Sequence, residues 1–149
     1  MNEPQPPLPR PSPESLPLWE ACGQGTLSLQ RCSACGRYWF PPSVLCPHCW
    51  SREWGWEPVS GRGTVFSFAV FRRAYHPHPS LAPPYVVAVV ELAEGPRLAT
   101  RLVGARPEDV RCGMAVEVAL TEVGEGWVLP LFRPSSVAAP RGAAPGGTP

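Results

Sequence analysis

The sequence predicts a mainly β protein in which a short N-terminal helix and a small metal-bound ribbon precede a closed five-stranded barrel, with a disordered tail at each end. Three observations carry this. Two CxxC pairs, Cys32/Cys35 and Cys46/Cys49, stand ten residues apart. From Ser60 onward the chain is a succession of short β-branched and aromatic runs punctuated by Gly and Pro. Prolines crowd the first 17 residues, and Pro, Gly and small residues fill the last 16, neither with enough apolar content to offset the entropy of ordering.

The divisions follow: residues 1–17 a disordered Pro-rich tail, 18–59 a helix and metal ribbon, 60–133 the barrel, and 134–149 a second disordered tail. With 149 residues, 44% of them hydrophobic, the chain suffices for one ordinary domain or two small ones. Thirteen basic residues face 12 acidic ones, and every basic residue is Arg. A net charge of +1 gives little steering toward polyanions, which argues against a nucleic-acid partner. No apolar leader opens the chain, and the longest apolar stretch, Pro83 to Val90, is too short to span a bilayer. The expected compartment is the cytoplasm, where six Cys favour metal binding over disulfides.

Taking the elements in order, Leu18, Trp19, Ala21 and Cys22 can form one face of a short helix ended by Gly23 or Gly25. Thr26 to Arg31 alternates apolar and polar residues, as a strand leading into the first cysteine pair. Tyr38-Trp39-Phe40 reads as an aromatic strand closed by Pro41-Pro42, and Trp56 to Val59 leads out of the ribbon. Five barrel strands are expected at Thr64–Phe71, Tyr85–Leu92, Leu98–Val103, Ala115–Leu120 and Trp127–Phe132. Glu94-Gly95-Pro96 makes the second and third a hairpin. Pro107 to Val110 reads as one helical turn, with Pro first and acids near its N-terminus.

The four cysteines carry the strongest chemical signal. A CxxC turn brings two thiolates to one ion, and two such turns make the closed tetrahedron of a structural zinc site. Gly36 and Pro47 suit the tight turns that aim backbone N–H groups at sulfur. Iron is the competing metal, because CxxCG followed by Tyr, then CPxC, also reads as rubredoxin-like. The ten intervening residues are short for a rubredoxin, which favours zinc. His48 reads as an exposed residue of the second turn. Cys22 and Cys112 lack a CxxC partner and read as small buried residues. The tryptophans at 39, 50, 54 and 56 exceed what the ribbon needs, so some are expected to cover the metal and others to form an exposed docking patch.

Beyond these readings, the chain resembles a known family of small proteins that combine a short helix, a rubredoxin-like zinc ribbon and a C-terminal OB-fold. The matching residues run from Leu29-Gln30-Arg31-Cys32 through Cys35-Gly36-Arg37-Tyr38, with Phe40-Pro41-Pro42 before Cys46-Pro47-His48-Cys49. They continue with Ser60-Gly61-Arg62-Gly63-Thr64, Pro84-Tyr85-Val86-Val87-Ala88, Glu94-Gly95-Pro96-Arg97-Leu98, Gly113-Met114, and Leu129-Pro130 with Phe132-Arg133-Pro134. The resemblance spans about Leu18 to Pro134. It implies a non-catalytic accessory subunit whose partner is a thiolase-like enzyme or a hotdog-fold enoyl-CoA hydratase. It also implies that the OB-fold lies over the partner's active-site mouth and helps to hold the acyl-CoA thioester.

The residues agree with a binding role, showing no Ser-His-Asp signature and no phosphate-cradling glycine loop. The segment Ser60–Arg111 has seven Arg against four acids. Arg72, Arg73, Tyr75 and His76 gather in the long Pro-rich loop after the first barrel strand, and long loops in small barrels often carry function. Arg72, Arg73 and Tyr75 are therefore the candidate CoA contacts, guanidinium being suited to bidentate phosphate binding. His76 and His78, set between prolines, are expected to be solvent-exposed. Two other functions stay open: a single-stranded nucleic-acid binder, since OB-folds stack bases on aromatic residues, and a one-electron carrier with iron in the cysteine site.

Overall fold

The computed structural model describes residues 4–136, so the expectation of a disordered tail over 137–149 lies outside the described residues. Helix α1 spans Leu16–Gly23. It starts before the expected boundary because Pro17 fits the first turn, where no N–H partner is needed. The Leu16 N–H also reaches back to Ser12 O at 3.0 Å. Leu18 and Cys22, one turn apart, form the buried stripe. Gly25, at φ 87°, turns the chain away from the helix.

The ribbon is a three-stranded antiparallel sheet ordered β2-β1-β3, from β1 (Ser28–Cys32), β2 (Tyr38–Trp39) and β3 (Trp54–Pro58). The expected polar alternation in β1 does not mark a solvent face. Ser28, Leu29 and Gln30 are all buried, because β1 is the central strand and is covered on both sides.

The barrel is closed in the order β4-β5-β6-β8-β7, from β4 (Arg62–Phe71), β5 (Tyr85–Leu92), β6 (Arg97–Leu102), β7 (Ala115–Gly124) and β8 (Trp127–Pro134). In β5 the period of two is strict: Val86, Ala88, Val90 and Leu92 point into the core. They meet Val65, Leu98, Leu102, Val116 and a fully buried Phe132. Leu18, Leu27 and Leu29 belong to the same cluster, so helix, ribbon and barrel share one core. Gly63 is needed for close approach: a Cβ there would lie 2.5 Å from Glu91 O and 2.7 Å from Val90 Cγ1. Pro107–Asp109 is a single 3₁₀ turn, as its acids and leading proline suggest.

The one parallel seam is thin. Strands β6 and β8 are paired at Leu102↔Phe132, and Pro130 in β8 has no N–H with which to lengthen the ladder. A side chain continues the join instead: Thr100 Oγ1 donates to Pro130 O at 2.8 Å. The N-terminal residues 4–12 form no helix or strand, yet Pro6, Leu8 and Pro9 are half-buried. Pro6 Cγ would be 3.2 Å from a Cβ placed on Gly124.

Candidate metal centre

Two similar turns build the site. In the first, the Gly36 N–H donates to Cys32 O at 2.9 Å, and the Cys35 N–H points at Cys32 Sγ at 3.4 Å. In the second, the Trp50 N–H donates to Cys46 O at 2.9 Å. Each turn ends in the left-handed region, Gly36 at φ 74° and Trp50 at φ 62°. Glycine accepts that conformation freely; for a side chain it costs roughly 1–2 kcal/mol. The first turn is closed by the Cys32 N–H donating to Arg37 O at 2.9 Å and tied to the residue before β3 by the Ser33 N–H donating to Glu53 O at 2.8 Å; the second is closed by the Cys46 N–H donating to Ser51 O at 3.0 Å.

These ties bring Cys32, Cys35, Cys46 and Cys49 together with all four Sγ atoms within 4.8 Å of one another. The closest pairs are Cys32–Cys49 at 3.5 Å and Cys35–Cys46 at 3.7 Å. Cys32 and Cys46 are buried, whereas Cys35 and Cys49 edge the surface. Hydrogen bonds from the Cys35 backbone N–H, and then from Ala34, pull the Cys32 thiol down to about 6. The Ser51 N–H favours thiolate at Cys49, but burial and the neighbouring sulfurs Cys32, Cys46 and Cys35 prevail and push it up to about 12. Four adjacent thiolates repel one another unless a cation lies among them. The donor set, four soft sulfurs able to close a tetrahedron, fits zinc or iron, and it leaves no ligand position open.

Behind the cysteines, Trp39 packs edge-on against Trp54 with centroids 6.1 Å apart, and Trp54 Nε1 donates to Val44 O at 3.0 Å. Trp50 stands apart at 75% exposure, and Val44 is likewise exposed at 63%. Of the four tryptophans, Trp39 and Trp54 cover the centre, Trp56 packs against the main core and Trp50 is exposed.

Sequence reasoning missed Gln30. Its Nε2 donates to Ser43 O at 2.9 Å and its Oε1 accepts from Ser43 N at 2.8 Å. The side chain thereby acts as an extra strand for the loop that leads to Cys46. One signal could have found it: Pro41-Pro42 offers no N–H, so Ser43 is the first residue of that loop able to pair.

Arg72, Arg73 and Tyr75 follow the end of β4, all exposed. Phe71 stacks on Tyr85 at 5.1 Å, and Tyr75 meets Phe71 edge-on at 5.8 Å. Neither guanidinium enters an ion pair among the described residues. Two expectations need correction. His76 and His78 are half-buried, because they organise the 3₁₀ turn Pro79–Leu81: His78 Nδ1 accepts from Ser80 N at 3.2 Å, and His76 Nδ1 accepts from His78 N at 3.1 Å. Cys112 is exposed, in the turn before β7, whereas Cys22 is buried and its thiol is pushed up to about 11 by desolvation. Among the described residues no helix is long and apolar enough to cross a membrane.

Comparison with known proteins assigns both halves of the chain. Residues 19–55 match the ChsH2 rubredoxin-like zinc ribbon domain, and residues 56–121 match the ChsH2 C-terminal OB-fold domain. A relative from Thermomonospora curvata, named probable enoyl-CoA hydratase alpha subunit, is 45% identical over 118 residues, 78% of this chain and 36% of its own length. The chain therefore spans about a third of that relative. A DUF35 domain-containing scaffold protein of Methanocaldococcus jannaschii is 38% identical, across 64% of this chain and 67% of its own. A benzoylsuccinyl-CoA thiolase subunit BbsA of Geobacter metallireducens is 35% identical, across 72% and 70%. Among solved structures, a chain of an Ltp2-ChsH2(DUF35) aldolase superposes with a TM-score of 0.77 at 41% identity, covering 85% of this chain and 98% of that one.

Proposed function

Because the chain belongs to the ChsH2 family of rubredoxin-like zinc-ribbon and OB-fold proteins, we propose that it is a non-catalytic accessory subunit of an acyl-CoA-processing complex. Its partner on this reading is a thiolase-like enzyme, a thiolase-like aldolase or an enoyl-CoA hydratase, in the cytoplasm. The carrying observation is the likeness, over nearly the whole of the other chain, to the DUF35 component of an aldolase structure.

Zinc held by Cys32, Cys35, Cys46 and Cys49 supplies cross-linking in this account, not catalysis, since four thiolates close its coordination. The ribbon then presents an exposed Trp50, the kind of aromatic anchor on which interfaces rely, with Val44 as a second exposed apolar residue of the same module. The left-handed backbone at Trp50 supports that role, because its indole is held outward without packing energy to offset the conformation. At the barrel end, Arg72 and Arg73 are the groups to meet CoA phosphates, with Tyr75 offering an aromatic face nearby.

Co-expression of the chain with the thiolase-like or hydratase enzyme of its host tests the assignment. A stable hetero-oligomer whose activity resides in the partner is the expected result; a chain that stays apart from every such enzyme refutes it. Within that complex, Arg72→Ala with Arg73→Ala should weaken acyl-CoA binding, and unchanged affinity would remove these residues from the account.

A further inference from the structure

A second feature has no part in the metal centre. A pocket of about 480 Å³ lies where α1, the ribbon and the β6–β8 seam meet. That volume falls within the roughly 300–1,000 Å³ of small-molecule sites. Its position follows from the thin seam: with one ladder pair at Leu102↔Phe132 and a proline next in line, the two strands have little to hold them together beside Thr100. Leu98 and Ala99 of β6 and Leu129 and Leu131 of β8 line the pocket, and Leu18 and Leu81 are among the apolar residues completing it.

Among the described residues, Arg10 and Arg101 are the charged members of the lining. Arg101 is steadied by donating to Ser80 O at 2.6 Å, and Arg10 is exposed and outside every ion pair among the described residues. The lining also includes Pro6 and Pro7. This N-terminal stretch lies outside both matched domains, which begin at residue 19. It rests on Gly124, where the missing side chain leaves room for Pro6 and Leu8. A guest suited to these walls is apolar along its length, because a dry aliphatic lining gives water few partners. It is negative or polar at one end, where the arginines stand.

We propose that this pocket binds an apolar acyl chain, with its head toward Arg10 and Arg101 and residues 4–11 lying over it as a lid. The site belongs to this chain alone and needs no partner enzyme, so its failure and the failure of the accessory-subunit reading are separable. The same chain chemistry can arrive as a free carboxylate or as a CoA thioester.

Calorimetry on the full-length zinc-loaded protein, with dodecanoate and dodecanoyl-CoA as probes, tests it. At least one probe should bind in the micromolar range, and methyl NMR signals of Leu81 and Leu129 should shift with it. Ala99→Trp, from an exposed position on β6, should fill the pocket and weaken binding by roughly tenfold or more, the factor equal to 1.4 kcal/mol. Deleting residues 2–11 should speed dissociation while zinc content stays the same. Binding of dodecanoate assigns the site to the chain itself; binding of the thioester alone adds the CoA head to what is recognised. Binding of neither probe up to millimolar concentration, or binding that leaves the Leu81 and Leu129 methyl signals in place, overturns the proposal whether or not Ala99→Trp folds.

Discussion

Replacing Gln30 with Ala should damage the metal centre although Gln30 is not a ligand. The side chain is 1% exposed and makes both of its amide hydrogen bonds to the backbone of Ser43. Each such bond contributes about 0.5–1.5 kcal/mol net, so losing both costs about 1–3 kcal/mol. Ser43 is half-buried, so water restores part of that. Truncation also leaves a void in the central strand of the ribbon, and large-to-small changes in cores add to the loss. A total of about 2–3 kcal/mol is reasonable. A ribbon this small folds with its metal, so the loss should appear in metal affinity, as a weakening of roughly 30- to 150-fold. Competition against a chromogenic zinc chelator at fixed pH measures it directly, with thermal unfolding alongside. Gln30→Glu keeps an acceptor for Ser43 N–H but loses the donor and buries a charge, so it should not rescue. A Gln30→Ala protein with parental zinc affinity and parental Tm would refute the argument that this side chain holds the Cys46 loop.

Gly63→Ala should destabilise the barrel by about 1–3 kcal/mol, the range for overpacking, because the new methyl meets Glu91 O of the facing strand; denaturant unfolding checks this. Cys22, whose thiol moves from 9.0 to about 11 on burial, gives a pH dependence. Above 9 the unfolded chain releases this proton before the folded one does, so its contribution is intact below about 9 and is lost as pH rises through 11. Cys22→Ala should flatten that part of the stability–pH curve. In the metal-loaded protein a thiol reagent should react quickly at the exposed Cys112 and hardly at all at Cys22. Chelation should then release the four ribbon thiols, and equal reactivity before and after chelation would contradict the site.

The readable parts of the sequence were those governed by local rules. The CxxC spacing determines which sulfurs meet, and the alternation of Val86, Ala88, Val90 and Leu92 determines which side of β5 is buried. Glu94-Gly95-Pro96 marks its own turn, with Gly95 at φ 111°. Of the features missed, one depends on a partner distant in sequence and others on the shape of a loop. Gln30 reads as a solvent-facing strand residue until Ser43, 13 residues away, is known to be its partner. His76 and His78 read as loop residues until the turn that they cap is seen. Residue type alone points Cys112 inward, but its position in a turn overrides the usual burial of free cysteine. The pocket could not be read at all, since it depends on how β6 and β8 part after a single parallel pair.

On the proposed reading this chain works as the zinc-ribbon and OB-fold subunit of an enzyme that supplies the chemistry. Affinity purification from the native host, followed by subunit identification and acyl-CoA assays on the complex and on the isolated chain, tests it most directly. The expected result is a hetero-oligomer containing a thiolase-like enzyme or hydratase, active as a complex, with an isolated chain that binds one zinc and turns over no thioester. An isolated chain that catalyses the reaction unaided, or one that carries redox-active iron and no such partner, would contradict it.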